Sequence, residues 1–289
     1  MHFTAKTVKF AAAFAVVLLF AASAAAHRIA IIAPDKAVES VAFAEKLTNA
    51  IRDVDLIDGE MARAAFEAVA PENAFNMTRI EARRAGSAIG CSHFVVLRSA
   101  VQRRTSFEKK EYYEAYAVVF VVSSRTGRLL LPILRSAESS SSKDAFEKLL
   151  TEIPAVAKEI ETEATSSLRR ELAEPPPPAM EEPPDEGTAA ARGFRAPVPY
   201  RRIRPEYTRT ANLYDIAATV EITVDLDEKG KILRTEIERW AGFGLEESVE
   251  KAVRSMNWRP AERGGKQIPM RFLLRYNFTK LPRDADREQ

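Results

Sequence analysis

Cysteine and histidine are the scarce residues of this 289-residue chain, which has one cysteine, Cys91, and three histidines. A single cysteine cannot close an internal disulfide, so the fold must be held by packing and hydrogen bonds. Only one histidine, His93, falls inside a predicted domain, which leaves little material for a metal cluster or a histidine general base. No Gly-rich phosphate loop, His-Glu-x-x-His or cysteine pair occurs, so the common nucleotide-dependent and zinc-dependent classes lose their signatures. Neither sign of charge is in excess: the formal net charge is +2, which gives no general reason to expect a nucleic acid partner. Cys91 and His93 form a Cys-x-His pair in "AIGCSHFVVL". Half a metal site or a thiol beside a base is one reading, but an apolar setting favours a core cysteine and a strand histidine. The expectation is a non-enzymatic protein with no cofactor and no metal.

Long apolar runs are missing too, except at the start. "MHFTAKTVKFAAAFAVVLLFAASAAAHR" has Lys6 and Lys9, then an apolar run from Phe10, then small residues up to Ala26. That is the pattern of a secretory signal, with cleavage between Ala26 and His27 and a periplasmic destination. The run over residues 10–26 is at the short limit for spanning a bilayer, so an uncleaved inner-membrane anchor is the alternative. Cleavage would leave His27 as the first residue. Its amine and imidazole could chelate copper only with His93 as the second ligand, a pairing for which the sequence offers no further support.

The remainder divides by composition. Residues 27–168 read as an α/β interaction domain: "HRIAIIAP" as a buried strand, then Val41, Ala44, Leu47 and Ile51 at helical spacing, and "VDLID" as a short strand. Two helices, a strand in "SHFVVLRSAV" and a strand pair turning near Ser123 to Gly127 follow. One long helix is expected from Lys143 to about Glu163. Residues 169–204 read as a linker, opening with "ELAEPPPPAMEEPPDEG", six prolines and six acidic residues without a base. Such a segment is extended and self-repelling, and at roughly 3 Å per residue it would hold two domains several tens of ångströms apart. Its second half is basic, with Arg192, Arg195, Arg201, Arg202, Arg204 and Arg209 bracketing the boundary. Contact with an acidic envelope polymer or lipid headgroups is one reading; a solvated lead-in that complements the acidic half is the simpler one.

Residues 205–280 read as an α+β module, followed by a tail over 281–289. Val220, Ile222, Val224 and Leu226 alternate with Thr219, Glu221, Thr223 and Asp225, the period of a half-buried strand. Turn residues Asp227 to Gly230 then predict a hairpin, with a bulge between Ile232 and Ile237. Leu245, Val249, Ala252, Val253 and Met256 make one helical stripe, and Trp258 is expected to close the core. In the last strand Met270, Phe272, Leu274, Tyr276 and Phe278 share one face, and Arg271, Leu273, Arg275 and Asn277 the other. The order ββαβ predicts a three-stranded antiparallel sheet packed on a helix, with that last strand at a free edge. Arg271 and Arg275 then have two readings: charges that guard the edge against stray pairing, or flanks of an edge that receives a partner strand. Pairing of two copies into a homodimer is a further option.

"RPEYTRTANLYDIAATVEITVDLDEKGKILRTEIERW", "LEESVEKAVRSMNWRPA" and "GGKQIPMRFLLRYNF" together resemble the C-terminal domain of the TonB energy-transducer family over Pro205 to Phe278. Thr208 and Ala217 depart from the family pattern. The resemblance implies that residues Met270 to Phe278 pair with a segment of an outer-membrane TonB-dependent transporter, or of another envelope protein. It also implies an inner-membrane motor complex, for which Ser23 and His27 carry the family's Ser-x-x-x-His spacing, though at the predicted cleavage site. The alternative is a periplasmic assembly scaffold or adaptor that binds outer-membrane or peptidoglycan-associated proteins without transducing energy. More faintly, "RIAIIAP", "VDLIDGEMARAAF" and "ARRAGSAIGCSHFVVLRSAVQ" resemble TolB-like amino-terminal domains and the α/β domains of curli-secretion and penicillin-binding-protein activator lipoproteins.

Overall fold

The computed structural model describes residues 28–280. Ser23, Ala26, His27 and the tail 281–289 lie outside the described residues, and so do the signal, anchor and copper readings that depend on the first three.

The amino-terminal half is built on a five-stranded sheet in the order β2-β1-β3-β4-β5. Strands β1 (Arg28–Ile32), β2 (Asp55–Leu56) and β3 (His93–Arg104) are parallel, while β4 (Tyr112–Ser123) and β5 (Leu129–Ser139) continue as an antiparallel meander. Both sheet faces are covered, which is why β1, β3 and β4 read as nearly unbroken apolar runs. Helices α1 (Val38–Ala50), α4 (Ser142–Leu150) and α5 (Ile153–Ala173) bury Phe43, Leu47, Leu149, Val156 and Ile160 against one face. On the other, α2 (Gly59–Val69) and α3 (Arg79–Ile89) bury Phe66, Ala82 and Ile89 against Ile32, Phe94 and Val96. Local chemistry starts both helices: Asp58 accepts the Met61 N–H, and Thr78 with Glu81 closes a capping box.

Three expectations change here. Helix α1 buries Ser40, Phe43 and Leu47 and leaves Val41 exposed, because Ser40 exchanges hydrogen bonds with the Ser99 backbone and so fixes the helix's rotation. The single long helix is two helices, broken at Thr151 and Glu152, since Pro154 belongs in a first turn and cannot continue a preceding helix. Helix α5 also runs past residue 168 to Ala173, held there by buried Glu171, which accepts from the hydroxyls of Ser123 and Thr126.

In the carboxy-terminal module, β8 (Ala218–Leu226) is central, flanked by β9 (Ile232–Arg239) and β13 (Met270–Phe278). Helix α7 (Leu245–Arg254) lays Leu245, Val249, Ala252 and Val253 on Val220, Ile222 and Val224, with Met256, Trp258, Phe272 and Phe278 completing the core. The hairpin register shifts twice, at Leu233 and at Glu238. The arrangement is richer than four elements. A short helix α6 (Arg209–Leu213) precedes β8, and the corner and Gly-Gly turn after α7 form β10 (Trp258–Arg259), β11 (Ala261–Arg263) and β12 (Lys266–Ile268). Two pieces of the expected linker, β6 (Phe194–Arg195) and β7 (Val198–Pro199), pair with β11 and β10.

The two halves are not held apart. Trp240, only 1% exposed, leaves the end of β9 to fill the part of the sheet face over β4 and β5. Its ring meets Phe120 edge-on at 5.7 Å and its indole N–H donates to the Gly127 carbonyl at 3.1 Å. Asn76 reaches from the other side: its amide donates to the carbonyls of Thr219 and Trp240, both at 2.7 Å, and accepts the Thr219 N–H at 3.0 Å. Ion pairs rim this seam, among them a two-pronged Arg128 to Glu236 contact at 2.7 and 2.9 Å and Arg79 to Glu236 at 3.0 Å. The acidic spacer therefore turns back along a fused pair of domains instead of bridging a gap. Each half had an apolar surface that the other could cover, and burying it outweighs the reach of a stiff chain.

Candidate functional site

Among the described residues, strand β13 is paired on one side only, by β8, from Met270 opposite Leu226 to Phe278 opposite Ala218. The Arg271 N–H points to the other side, where it donates to the Glu181 carbonyl at 2.8 Å. Alternation along a strand gives Leu273, Arg275 and Asn277 the same outward backbone orientation, so each presents an N–H and a C=O along the edge. Leu273 is 51% exposed beside that edge.

Along this edge runs a groove of about 920 Å³. Phe272, Leu274 and Tyr276 from β13, Met256 just after α7 and Trp258 of β10 line it together with residues of the segment Ala196 to Pro205. That segment was not read from the sequence as part of a site. Its signal was present as Pro-x-Pro spacing in "RAPVPYRRIRP", which keeps the backbone extended, and it stands because β7 bonds to β10. Arg202 and Arg204 face the same groove, while Arg195 of the basic stretch pairs with Glu262. The acidic spacer pairs with Arg263 and contacts Arg271, and its Glu182 lines the groove together with Arg202 and Arg204.

Both edge arginines are paired with carboxylates of the neighbouring strand. Arg271 clasps Asp225 with two bonds of 2.7 Å, and Arg275 donates to Glu221 at 2.7 Å. Each sits directly across the ladder from its carboxylate, and Asp225 and Glu221 are buried at 2% and 5% exposure. The bond to Asp225 holds the Arg271 guanidinium more firmly charged than usual. These arginines thus neutralise the face of β8 that the sequence pattern assigned to solvent. Tyr276, half-buried in the groove, has its hydroxyl pushed up by burial, so it is a neutral donor and acceptor there.

The Cys-x-His pair is structural. His93 sits 1% exposed with Nε2 3.0 Å from the Ser167 hydroxyl and Nδ1 3.1 Å from that of Ser92. Cys91 lies 3.3 Å from Ser124 instead, and burial pushes its thiol above the usual range, away from the reactive thiolate. Among the described residues, no group of three or more His, Cys, Asp or Glu is placed to hold a metal ion. Among them also, no helix is long and apolar enough to cross a membrane.

The strand order, the α7 corner and the closing strand lie within one segment that known proteins share. Residues 203–279 match the model of the Gram-negative bacterial TonB protein C-terminal family. The segment is thus TonB-like over about a quarter of the chain. Among solved structures, the TonB C-terminal domain of Pseudomonas aeruginosa is similar at 19% identity, covering 34% of this chain and 94% of that one, with a TM-score of 0.26. A lipoprotein of Neisseria meningitidis is similar at 14% identity, covering 47% of this chain and 99% of that one, with a TM-score of 0.32. The LpoB C-terminal domain of Salmonella enterica is similar at 12% identity, covering 43% of this chain and 93% of that one, with a TM-score of 0.26. At these values no role passes from those proteins to this chain. No curated protein sequence matches it closely enough to count as a relative.

Proposed function

We propose that this TonB-family envelope protein binds an extended segment of an outer-membrane transporter by strand addition along Leu273 to Asn277, in the service of TonB-dependent transport. The observation that carries this reading is an unpaired strand edge beside an apolar groove of about 920 Å³. Backbone groups of the edge supply affinity for any extended chain, and the groove selects its side chains. No chemistry is required of the site. Titration calorimetry with synthetic peptides from periplasm-exposed segments of such transporters should show one-to-one binding, lost on adding a proline at the centre of the edge. Absence of binding to every such peptide would remove the transporter reading.

A second reading, an assembly scaffold that binds cell-envelope proteins without energy transduction, is supported by the docking seam. A spacer folded back on fused domains does not have the reach that the separated arrangement would provide. Photo-crosslinking from position 273 in the native envelope separates the two: transporter plugs support the first reading, cell-wall enzymes the second, and a second copy of the chain would indicate an edge-to-edge homodimer. The mass of the mature protein bears on coupling to a motor. A chain beginning at His27 leaves an adaptor, whereas an intact amino terminus in the inner membrane restores the Ser23 and His27 pair to consideration.

A further inference from the structure

The acidic spacer touches the proposed binding edge at one place. The Glu181 carbonyl accepts the Arg271 N–H at 2.8 Å, its carboxylate pairs with Arg263, and the Arg271 guanidinium also reaches the Pro178 carbonyl at 3.4 Å. Glu182 and Pro183 lie at the mouth of the groove. We propose that residues Pro178 to Pro183 are an intramolecular strap that caps the first outward backbone position of β13, so that a partner strand must displace it to pair along the whole edge. The proposal rests on the strand-addition reading of that edge.

The composition of the strap suits this role. A segment that competed as a true strand would exchange N–H and C=O groups with the edge every second residue. Prolines stand on both sides of Glu181, Pro175 to Pro178 before it and Pro183 and Pro184 after it, and none has an N–H, so pairing that begins at Glu181 is cut short along the edge in either direction. Capping is therefore self-limiting. The prolines also hold the chain extended, which lowers the entropy lost on docking. Because the strap is tethered at both ends, its contacts form without the translational cost of a separate partner, and three of them converge: the Arg271 N–H bond to Glu181, the Arg271 guanidinium contact to Pro178 and the Arg263 ion pair. The Arg263 contact gives the strap its position: Arg263 belongs to β11, which is bonded to β12 and β6 and so is a fixed point beside the end of β13.

The test uses the full chain and a variant in which residues 178–183 are replaced by a Gly-Ser segment of equal length. Amide hydrogen exchange needs no ligand: exchange at Arg271 should accelerate in the variant, while Phe272, whose N–H faces β8, stays protected. A variant in which Phe272 also loses protection has a disturbed sheet, and Glu181→Ala with Arg263→Ala then serves in its place. Unchanged exchange at Arg271 would overturn the strap whatever binds. The probe for gating is the transporter peptide used above, which should bind the variant about three- to tenfold more tightly, the range set by one net hydrogen bond. Faster Arg271 exchange with equal peptide affinity would overturn gating alone. Faster exchange with no peptide binding to either protein would overturn the strand-addition reading, and the gating role with it.

Discussion

At the scale of single residues, the seam depends on a turn that few side chains could make. Gly242, Phe243 and Gly244 all have left-handed backbone, which brings the Phe243 ring to 6.0 Å from Phe120 and starts α7. A Cβ on Gly242 would stand 2.3 Å from the Phe120 ring at a φ of +71°. Gly242→Ala should therefore cost about 1–3 kcal/mol, from left-handed strain and overpacking, read as a lower urea midpoint with unchanged slope. Arg271 makes a different case. Arg271→Ala would leave Asp225 buried without its partner, and about 2–3 kcal/mol should be lost, below the ~3–5 of a fully buried pair because Arg271 keeps some solvent contact. Coupled replacement by Arg271→Met and Asp225→Leu should cost less than Arg271→Ala alone; a larger loss would mean that the pair adds net stability.

At the scale of elements, the period-two strands and the helical stripe of α7 were readable because their apolar faces pack within one short segment. Val220, Ile222, Val224 and Leu226 are all fully buried, and so are the stripe's Leu245, Val249 and Val253. Element rotation and breaks were less readable where a distant backbone decides them, as Ser99 does for α1. Strand β13 allows a direct test of its edge. The Leu273 N–H faces away from β8, so Leu273→Pro should leave the module folded while blocking strand addition. Near-native circular dichroism with loss of peptide binding is the expected result. A folded variant that binds as before would show that recognition does not use the edge.

At the scale of the whole molecule, Trp240 is the joint. Trp240→Ala removes the ring packed on Phe120 and the bond to Gly127, and should cost about 3–5 kcal/mol of docking. Small-angle scattering should then show a longer molecule, with new proteolytic sites between α5 and β6; an unchanged profile would place the docking energy in the polar rim. The seam also carries carboxylates of opposite character. The Arg128 guanidinium beside Glu174 holds that carboxyl below the usual range, so its contribution is full above the ordinary carboxylate pKa and fades as pH falls through the lowered value. Burial pushes Glu238 up despite nearby Arg79, so its contribution is full at acid pH and fades as pH rises through the raised value. Glu238→Gln should accordingly raise the melting temperature at pH 7, and the gain should shrink as pH falls through the raised pKa. A gain that persisted unchanged at acid pH would exclude deprotonation of Glu238 as its source.

Local periodicity made legible the mixture of strands and helices in both halves, the apolar face of β8 and the core position of Trp258. Each depends on the spacing of near neighbours, which a short stretch of chain suffices to express. Long-range packing alone buries Asp225 and Glu221 beneath Arg271 and Arg275, sets Ala196 to Pro205 along a groove and joins the halves at Trp240. Those outcomes bring together residues far apart in the chain. Their energies come from desolvation and complementary surfaces, which no stretch of sequence carries alone.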